Sequence, residues 1–229
     1  MARPKLSIVI PAYNEEKTIG NVINEVVGYG IVIVVDDGSM DDTARIATAT
    51  GAVVVRHTVN SGYDCTLNTG FEKARLLDSE IILTFDADGQ HSALLIEDFV
   101  TAIDDGADVV IGIRNKTARF AESVFSSIAT KLWGIKDPLC GMKAYRSEVH
   151  QELGHFDSYN SIGTELCIFA AKQKFEIAQI PFEVIERVDK PRFGRVLNAN
   201  WKIFRAAILG VLKYRWLIVE RTKIPEKED

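Results

Sequence analysis

Short apolar runs alternate with amphipathic stretches through the first half of the chain. The apolar runs predict five strands, at residues 5–13, 31–37, 52–57, 80–88 and 107–114. The stretches between them predict four helices, at residues 16–27, 41–51, 62–77 and 94–103. Continuous apolar strands that alternate with helices are typical of βαβ units, in which helices cover both faces of a parallel sheet. The pattern therefore predicts an α/β fold with a mostly parallel central sheet flanked by helices.

The second half of the chain is less regular. It predicts helices at 117–133 and 162–174, a short strand within 140–146, and a strand or hairpin edge at 175–187, where Pro181 disfavours a central position. A basic loop at 188–195 leads into a long amphipathic helix. There is no internal repeat or clear linker, so we predict one domain at residues 1–196. Residues 197–229 are then a C-terminal helix and charged tail, packed on that domain or extending from it.

Polar residues follow several of the predicted strands directly. In open parallel sheets, ligands bind outside the carboxyl ends of the strands. The strand-end residues are Pro11, Asp36, Asp37, Asp86, Asp88 and Arg114. We therefore expect these residues to converge on one rim of the sheet.

The segment "FDADGQH" (85–91) ends a buried strand on two aspartates. A turn at Ala87 and Gly89 can bring both carboxylates to the same side, where they need a compensating charge. Carboxylate oxygens and the amide oxygen of Gln90 suit Mg²⁺ or Mn²⁺, which complete their shells with water and phosphate oxygens. The rim position predicts a metal-bridged diphosphate, although a bare pair of aspartates can also start a loop or cap a helix.

Other acidic and aromatic residues at the rim suit a nucleotide. A carboxylate such as Asp37 can accept hydrogen bonds from base N–H groups or ribose hydroxyls. Tyr13 could stack on a base and Glu15 could accept from it, although Glu15 also makes a good helix start. For residues 41–43 the favoured interpretation is capping of the next helix.

Taken together, "IVIPAYNEEKTI", "VVDDGSMDDT", "FDADGQH", "GIRN" and "KDPLCGMKAYR" carry a resemblance in their order and spacing. The chain resembles family 2 glycosyltransferases with the Rossmann-like GT-A fold, through about residue 195. Within that family it looks most like polyprenyl-phosphate sugar transferases of the dolichyl-phosphate mannose synthase type. The resemblance implies a nucleotide-diphospho-sugar donor, linked to GDP or UDP, and a polyprenyl phosphate acceptor.

The resemblance also implies roles for individual positions. The metal site would be Asp86, Asp88 and Gln90. The donor-binding positions would be Pro11, Tyr13, Glu15, Val35, Asp37, Asp86, Ala87, Asp88, Gln90 and Arg114, together with Arg187, Arg192 and Arg195 of the basic loop. That loop lacks the Ser-Lys of the family pattern. Asp88 and Arg114 would act in catalysis, and Arg119 matches the region of the acceptor, although it could be a solvated helix residue.

The type of acceptor decides whether a catalytic base is needed. In an inverting transfer a hydroxyl acceptor usually requires a carboxylate base, whereas a lipid phosphate is already an anion. Asp137 and Glu165 are the candidate bases, with a turn aspartate and a helix-start charge as the alternatives. The leading hypothesis is transfer to a polyprenyl phosphate. The alternative is transfer to a saccharide hydroxyl in cell-surface polysaccharide or glycan assembly.

Composition argues against several kinds of partner and site. A net charge of −5 gives no support for nucleic-acid binding, and three cysteines without CxxC spacing favour reduced thiols and no zinc site. No signal peptide and no apolar run of about 20 residues is found. The histidines at 57, 150 and 155 are expected at the surface or in loops, whereas for His91 a loop role and a supporting role at the metal site are equally favoured.

The C-terminal helix is a second indication of the acceptor. Its apolar stripe consists of Trp201, Phe204, Ile208, Leu212 and Trp216, with Lys202, Arg205, Lys213 and Arg215 around it. This composition suits a helix in a membrane interface, one that docks a membrane-anchoring partner, or one packed on its own domain. We therefore expect a cytoplasmic protein, peripheral on the cytoplasmic face of a membrane.

Overall fold

The computed structural model describes residues 5–115, 119–184 and 196–214, with side chains from residue 199 onward in the last segment. These residues form seven strands and eight helices. The strands are β1 (Leu6–Ala12), β2 (Ile31–Asp36), β3 (Val53–Arg56), β4 (Ile81–Thr84), β5 (Val109–Arg114), β6 (Lys143–Arg146) and β7 (Ile177–Phe182). The helices are α1 (Ile19–Val26), α2 (Thr43–Ala49), α3 (Tyr63–Leu76), α4 (Leu95–Asp104), α5 (Phe120–Trp133), α6 (Ser147–Leu153), α7 (Glu165–Lys172) and α8 (Val196–Tyr214).

All seven strands join one sheet in the order β3-β2-β1-β4-β6-β5-β7. Its pairs are parallel, except that β6 runs antiparallel to both of its neighbours, β4 and β5. The prediction of a mostly parallel α/β sheet is confirmed. The edge position expected for the strand that contains Pro181 is confirmed as well, since β7 is the outermost strand.

Helices cover both faces of the sheet and create two cores. In β1 the side chain of Val9 enters one core, whereas Ile8 and Ile10 enter the other. Successive side chains of a strand point to opposite faces, so a strand that is covered on both sides must be apolar at every position. This is the physical reason for the continuous apolar runs in the sequence.

Several elements differ from the sequence-based expectations, since β4 ends at Thr84 rather than at residue 88 and α7 begins at Glu165 rather than at residue 162. Helix α1 begins at Ile19 rather than at residue 16, because the preceding backbone is tied to the β2–α2 loop. The N–H groups of Asn14 and Glu15 donate to Ser39 Oγ at 2.8 Å and Thr43 Oγ1 at 2.7 Å. Helix α6 had no counterpart among the predicted elements.

Helix α8 packs on α5 and α7 and contributes to the same core as the central strands. Its buried side chains are Ala199, Ile203, Ala206, Ala207 and Tyr214. The predicted division between residues 196 and 197 stays a prediction. Within the described residues, no helix combines the length and the apolar content that crossing a bilayer requires.

A buried carboxylate joins the end of α8 to α7. Glu165 is fully buried and accepts hydrogen bonds from Ser158 N at 2.6 Å and Tyr214 Oη at 2.9 Å, and it forms an ion pair with Lys213. Burial opposes its ionisation, but the hydrogen bonds from Lys213, Ser158 and Tyr214 outweigh it and hold the pKa of Glu165 below its ordinary value. His155 Nε2, at 3.2 Å, completes this Glu165 cluster.

The approach of α3 to the sheet leads to a first prediction. A Cβ at Gly70 would fall well inside the van der Waals radius of Val9 Cγ1, and 3.4 Å from Val35 Cγ2. We expect Gly70→Ala to lower the free energy of unfolding by about 1–3 kcal/mol through overpacking, as measured by urea denaturation. Gly28→Ala is the control, because nothing lies within 4 Å of its Cβ position. Equal stability of the two variants would contradict this packing.

The Glu165 cluster leads to a second prediction. Because its folded-state pKa lies below the ordinary value of 4.5, Glu165 stabilises the fold above that pH, and this contribution is lost as pH falls. At pH 7 we expect Glu165→Gln to lower the free energy of unfolding by about 2 kcal/mol. This is less than the cost of breaking a fully buried ion pair, because the Lys213 side chain remains 38% exposed.

The difference from wild type should begin to shrink below about pH 4.5, where the glutamate of the unfolded chain takes up a proton, and disappear as pH falls through the lower pKa of the native carboxyl. Glu97→Gln is the matched control, since Glu97 is exposed in the first turn of α4. A pH-independent loss in the Glu165 variant would show that the ionised carboxylate is not the stabilising form.

Candidate functional site

Four parallel strands end at one edge of the sheet and bring the predicted residues together there. Pro11 of β1 and Val35 of β2 are register partners, and Val35 is fully buried. Asp86 follows β4 after one buried phenylalanine, and Arg114 is the last residue of β5. The structure thus places the strand-end residues of the sequence on one rim, where ligands bind in sheets of this type.

The turn after β4 exposes part of the acidic segment. Gly89 adopts a φ of +73°, which a residue with a side chain rarely adopts, and Asp88 Oδ1 accepts the N–H of Gln90 at 3.1 Å. The side chain of Asp86 is 30% exposed, and its Oδ2 is hydrogen-bonded to His91 Nε2 at 3.1 Å. Its Oδ1 accepts no hydrogen bond from a described residue. One oxygen of Asp86 is therefore held and the other is open.

The backbone of Gly141 lies directly against the Asp86 carboxylate. A Cβ at this position would be 2.7 Å from Oδ1 and closer still to Oδ2, so only glycine fits. Thr84 Oγ1 donates to the Gly141 carbonyl oxygen at 2.6 Å, which fixes this approach beside the β4–β6 ladder. Sequence reasoning missed this contact, since nothing in the chain marks residues 86 and 141 as neighbours.

His91 is the second supporting residue of the acidic turn. Its side chain is 3% exposed, and its ring packs edge-on against Phe85 and Phe182. A buried ring with a fixed orientation can hold Asp86 in one rotamer. The interpretation of His91 as support for the metal site is the one that this geometry favours.

The environment keeps Asp86 ionised. Burial raises the pKa of its carboxyl, but the hydrogen bond from His91 and the charges of Arg114 and Lys143 outweigh burial and lower that pKa below the usual value. An ionised carboxylate with one open oxygen, next to Asp88 and Gln90, is a hard-oxygen donor set suited to Mg²⁺ or Mn²⁺.

The donor set is only part of a coordination shell. Among the described residues, no group of three His, Cys, Asp or Glu side chains could hold a metal ion by itself. Magnesium commonly binds one or two carboxylates and completes its shell with water and substrate phosphates. The residues of the acidic turn therefore fit a metal that arrives with, or is completed by, a phosphate ligand.

The nucleotide side of the rim is built from the loops after β1 and β2. Tyr13 is 39% exposed, whereas Glu15 is 8% exposed and accepts from Thr18 Oγ1 at 3.0 Å. Asn14 has a φ of +53° and its Oδ1 accepts the N–H of Met40 at 2.9 Å. Hydrogen bonds therefore join the loop after β1 to the loop after β2, and the Tyr13 ring is accessible beside them.

Asp37 is held more tightly than the sequence suggests. Its carboxylate accepts the N–H groups of Ser61 and Gly62, each at 2.8 Å, and is hydrogen-bonded to His57 Nδ1 at 2.8 Å. His57 Nε2 reaches Thr69 Oγ1 at 2.9 Å. Asp37 thus anchors the start of α3 to the end of β2, and a contact to a base or ribose stays a prediction.

The expected surface or loop position is correct for His57, which lies in the loop after β3, and wrong for His150, which is buried in α6. His57 lies between Asp37 and α3, with its side chain 14% exposed. His150 is 2% exposed and packs against the ring of Phe71 at 5.2 Å between centroids. Burial lowers the pKa of His150 and favours its neutral form.

Arg114 is clamped between two carboxylates. The Asp137 carboxylate accepts hydrogen bonds from Arg114 Nε at 2.8 Å, Nη2 at 2.9 Å and the backbone N–H at 3.2 Å. Glu122, on α5, accepts from Arg114 Nη2 and from Arg119 Nη1, each at 3.3 Å. Asp137 is buried and both of its oxygens face Arg114. The guanidinium is therefore oriented by the protein before any ligand arrives.

The geometry argues against both predicted bases. The carboxylate of Asp137 is paired bidentately with Arg114, and that of Glu165 is enclosed in the cluster with Lys213. A base needs an oxygen within reach of the substrate. Arg187, Arg192 and Arg195 of the basic loop lie outside the described residues, as do Trp216 and Arg215.

Comparison with known proteins identifies the family of the chain. The family model "Glycosyl transferase family 2" matches residues 7–154. A UDP-N-acetylglucosamine–dolichyl-phosphate N-acetylglucosaminyltransferase of Methanococcus voltae is 29% identical over 98% of this chain and 99% of its own length. A dolichyl-phosphate hexose transferase of Haloferax volcanii is 30% identical over 82% of this chain and 86% of its own length.

Solved structures show the same fold. A crystal structure of a mycobacterial protein has a TM-score of 0.76 at 25% identity, over 93% of this chain and 75% of that one. Glucosyl-3-phosphoglycerate synthase from Mycobacterium tuberculosis, in complex with Mn²⁺ and UDP-glucose, has a TM-score of 0.73 at 24% identity, over 93% and 79%. The family match spans more than half of the chain, so the protein belongs to glycosyl transferase family 2 and is a glycosyltransferase.

Proposed function

We propose that this protein transfers a sugar, with inversion, from a nucleotide-diphospho-sugar to a polyprenyl phosphate in a metal-dependent reaction. The observation that carries the proposal is the acidic turn. The turn presents an ionised Asp86, with one oxygen open, beside Asp88 and Gln90 at the rim of the sheet. The names of the archaeal dolichyl-phosphate transferases support the acceptor class.

On the donor side, Asp86, Asp88 and Gln90 would hold Mg²⁺ or Mn²⁺. The metal, when bound, would neutralise the diphosphate and stabilise the charge of the leaving nucleoside diphosphate. His91 and Gly141 keep the Asp86 carboxylate in place, which lowers the cost of organising the site. Pro11, Tyr13, Glu15, Val35, Asp37 and Ala87 are the proposed contacts to the nucleotide, and Arg114 is the proposed contact near the phosphates.

On the acceptor side, the state of the carboxylates favours a phosphate over a hydroxyl. Asp137 and Glu165, the two proposed bases, are both engaged in ion pairs. A hydroxyl acceptor would need one of them free, whereas an anionic phosphate attacks without deprotonation. Arg119, at the start of α5, is the proposed contact to that phosphate, and the arginines at 187, 192 and 195 are further candidates for phosphate contacts.

A lipid acceptor requires access to a membrane surface. In α8, Trp201, Ile208 and Leu212 are 68%, 56% and 61% exposed, and they fall on one helical stripe at i, i+7 and i+11. No acidic residue occurs from 196 to 214, whereas Lys202, Arg205 and Lys213 do, of which Lys213 is paired with Glu165. This supports a peripheral contact with the cytoplasmic face of a membrane, or with a membrane-anchoring partner.

The metal assignment can be tested by calorimetry. We expect Asp88→Asn to weaken the Mn²⁺-dependent binding of UDP or GDP, whichever binds wild type, by about 10-fold or more, since a charge-assisted ligand is lost. Asp98→Asn is the matched control, because Asp98 is exposed on α4 and its substitution removes the same charge. Equal affinity of Asp88→Asn and wild type would overturn the metal site.

The acceptor class can be tested with a lipid-extraction assay. Labelled nucleotide sugar is incubated with Mn²⁺ and either dolichyl phosphate or dolichol, and label is counted in the organic phase. We expect product with dolichyl phosphate and none with dolichol, because both candidate bases, Asp137 and Glu165, are held in ion pairs and a hydroxyl needs a base. Transfer to a saccharide with no transfer to dolichyl phosphate would favour the hydroxyl-acceptor alternative.

A further inference from the structure

We propose that the hydroxyl of Tyr63 is a further substrate contact, which donates a hydrogen bond to an oxygen of the nucleotide-diphospho-sugar. The inference rests on the proposed function and adds a residue that the family motifs quoted above do not contain. It starts from three observations on Tyr63: where the backbone places it, what fixes its ring, and what its hydroxyl lacks.

The backbone brings Tyr63 to the rim. It is the first residue of α3, after Gly62 with a φ of +93°. The N–H groups of Ser61 and Gly62 are bound by Asp37, which directly follows β2. The start of α3 is therefore fixed at the edge of the sheet where the acidic turn also lies.

The ring of Tyr63 rests on Gly163. A Cβ at Gly163 would lie 3.3 Å from Tyr63 Cε1, so this glycine leaves room for the ring. The Gly163 N–H donates to Asp64 Oδ1 at 2.6 Å, and its carbonyl accepts from Lys143 Nζ at 2.8 Å. Both ends of this glycine are thus pinned by buried side chains.

The backbone before Gly163 is strained as well as pinned. Ile162 has a φ of +59°, which is unusual for a β-branched residue, and its N–H is held by Asp64 Oδ2 at 3.2 Å. Such conformations persist where the surroundings over-determine them, and they concentrate at functional sites. The surface beneath the Tyr63 ring is therefore fixed, and it restricts the movement of the ring.

The hydroxyl of Tyr63 has no hydrogen-bond partner among the described residues, and the side chain is only partly buried. Burial, followed by the charges of Asp86, Asp64 and Asp88, raises the pKa of Tyr63 well above its usual value. Lys143, which binds the Gly163 carbonyl beneath the ring, is the register partner of Thr84 at the end of β4, so the ring lies beside the strand that leads into the acidic turn. A phenol hydroxyl is a hydrogen-bond donor, and one that no protein group occupies is available to an oxygen of a ligand.

Phosphate and sugar oxygens are the acceptors that the proposed reaction supplies. A nucleotide-diphospho-sugar bound at Asp86 and Asp88 would bring several such oxygens to this region. A neutral donor suits a place already crowded with carboxylates, because it can contact substrate oxygens without adding charge.

A second tyrosine provides a control that distinguishes a substrate contact of the hydroxyl from a role in packing. The Tyr145 hydroxyl also lacks a partner in the described part of the chain, but its ring is fully buried between Phe71 and Phe156. Removing that hydroxyl changes the core and leaves the rim untouched. Tyr145→Phe is therefore the matched control for Tyr63→Phe, since each variant loses one oxygen and keeps its ring.

The test compares the two variants with wild type in Mn²⁺. Calorimetry gives the affinity for UDP or GDP and for the matching nucleotide sugar, and turnover gives kcat and KM. We expect Tyr63→Phe to lose about 10-fold in affinity for the nucleotide sugar, or in kcat/KM, as for a lost hydrogen bond to a charged or strongly polar group. Tyr145→Phe should match wild type in both measurements.

The pattern across ligands identifies the oxygen. A loss for both the nucleoside diphosphate and the nucleotide sugar supports a contact to the diphosphate, and a loss for the nucleotide sugar alone supports a contact to the sugar. Wild-type affinity and kcat/KM in Tyr63→Phe would overturn the proposal. If wild type binds no nucleotide with Mn²⁺, the proposed function itself fails, which is a different result.

Discussion

The contact between the Gly141 backbone and the Asp86 carboxylate is the constraint around which the site is built. It exists because β6 enters the sheet antiparallel between β4 and β5 and carries the segment before it over the end of β4. Thr84 bonds the Gly141 carbonyl on one side, and His91 holds Asp86 on the other. The same crossing brings Asp137 to Arg114. One strand insertion therefore sets both the acidic turn and the arginine beside it.

The carboxylates at and around the site differ in how many of their oxygens accept hydrogen bonds from the protein. Asp37, Asp137 and Glu165 each accept several hydrogen bonds from the protein, and they hold α3, Arg114 and α8 in place. Asp86 differs, since one oxygen is held and the other is open. A carboxylate saturated by donors contributes to structure and orientation, whereas one with an open oxygen can bind a ligand. This division favours a metal and a diphosphate at the acidic turn.

Much of the fold could be predicted from the sequence, and the differences between prediction and structure have physical causes. The five apolar runs became strands because burial on both faces requires apolar residues at every position. The start of α1 was missed because side chains of a distant loop bind the Asn14 and Glu15 N–H groups. A role of Asp137 or Glu165 as a base stays a prediction, since the sequence displays each carboxylate but not the arginine or lysine that pairs with it.

The sequence by itself determined the layers of the fold, the rim at the strand ends and the residue types of the acidic turn. Periodicity and the order of motifs along the chain encode these features, and both depend on neighbours in sequence. Only the tertiary structure decided which carboxylates stay open, where β6 lies and why residue 141 must be glycine. Those features depend on contacts between residues that are distant in sequence, such as Arg114 with Asp137, 23 positions apart, and Thr84 with Gly141, 57 positions apart. A folded chain fixes such contacts through packing, and no local pattern records them.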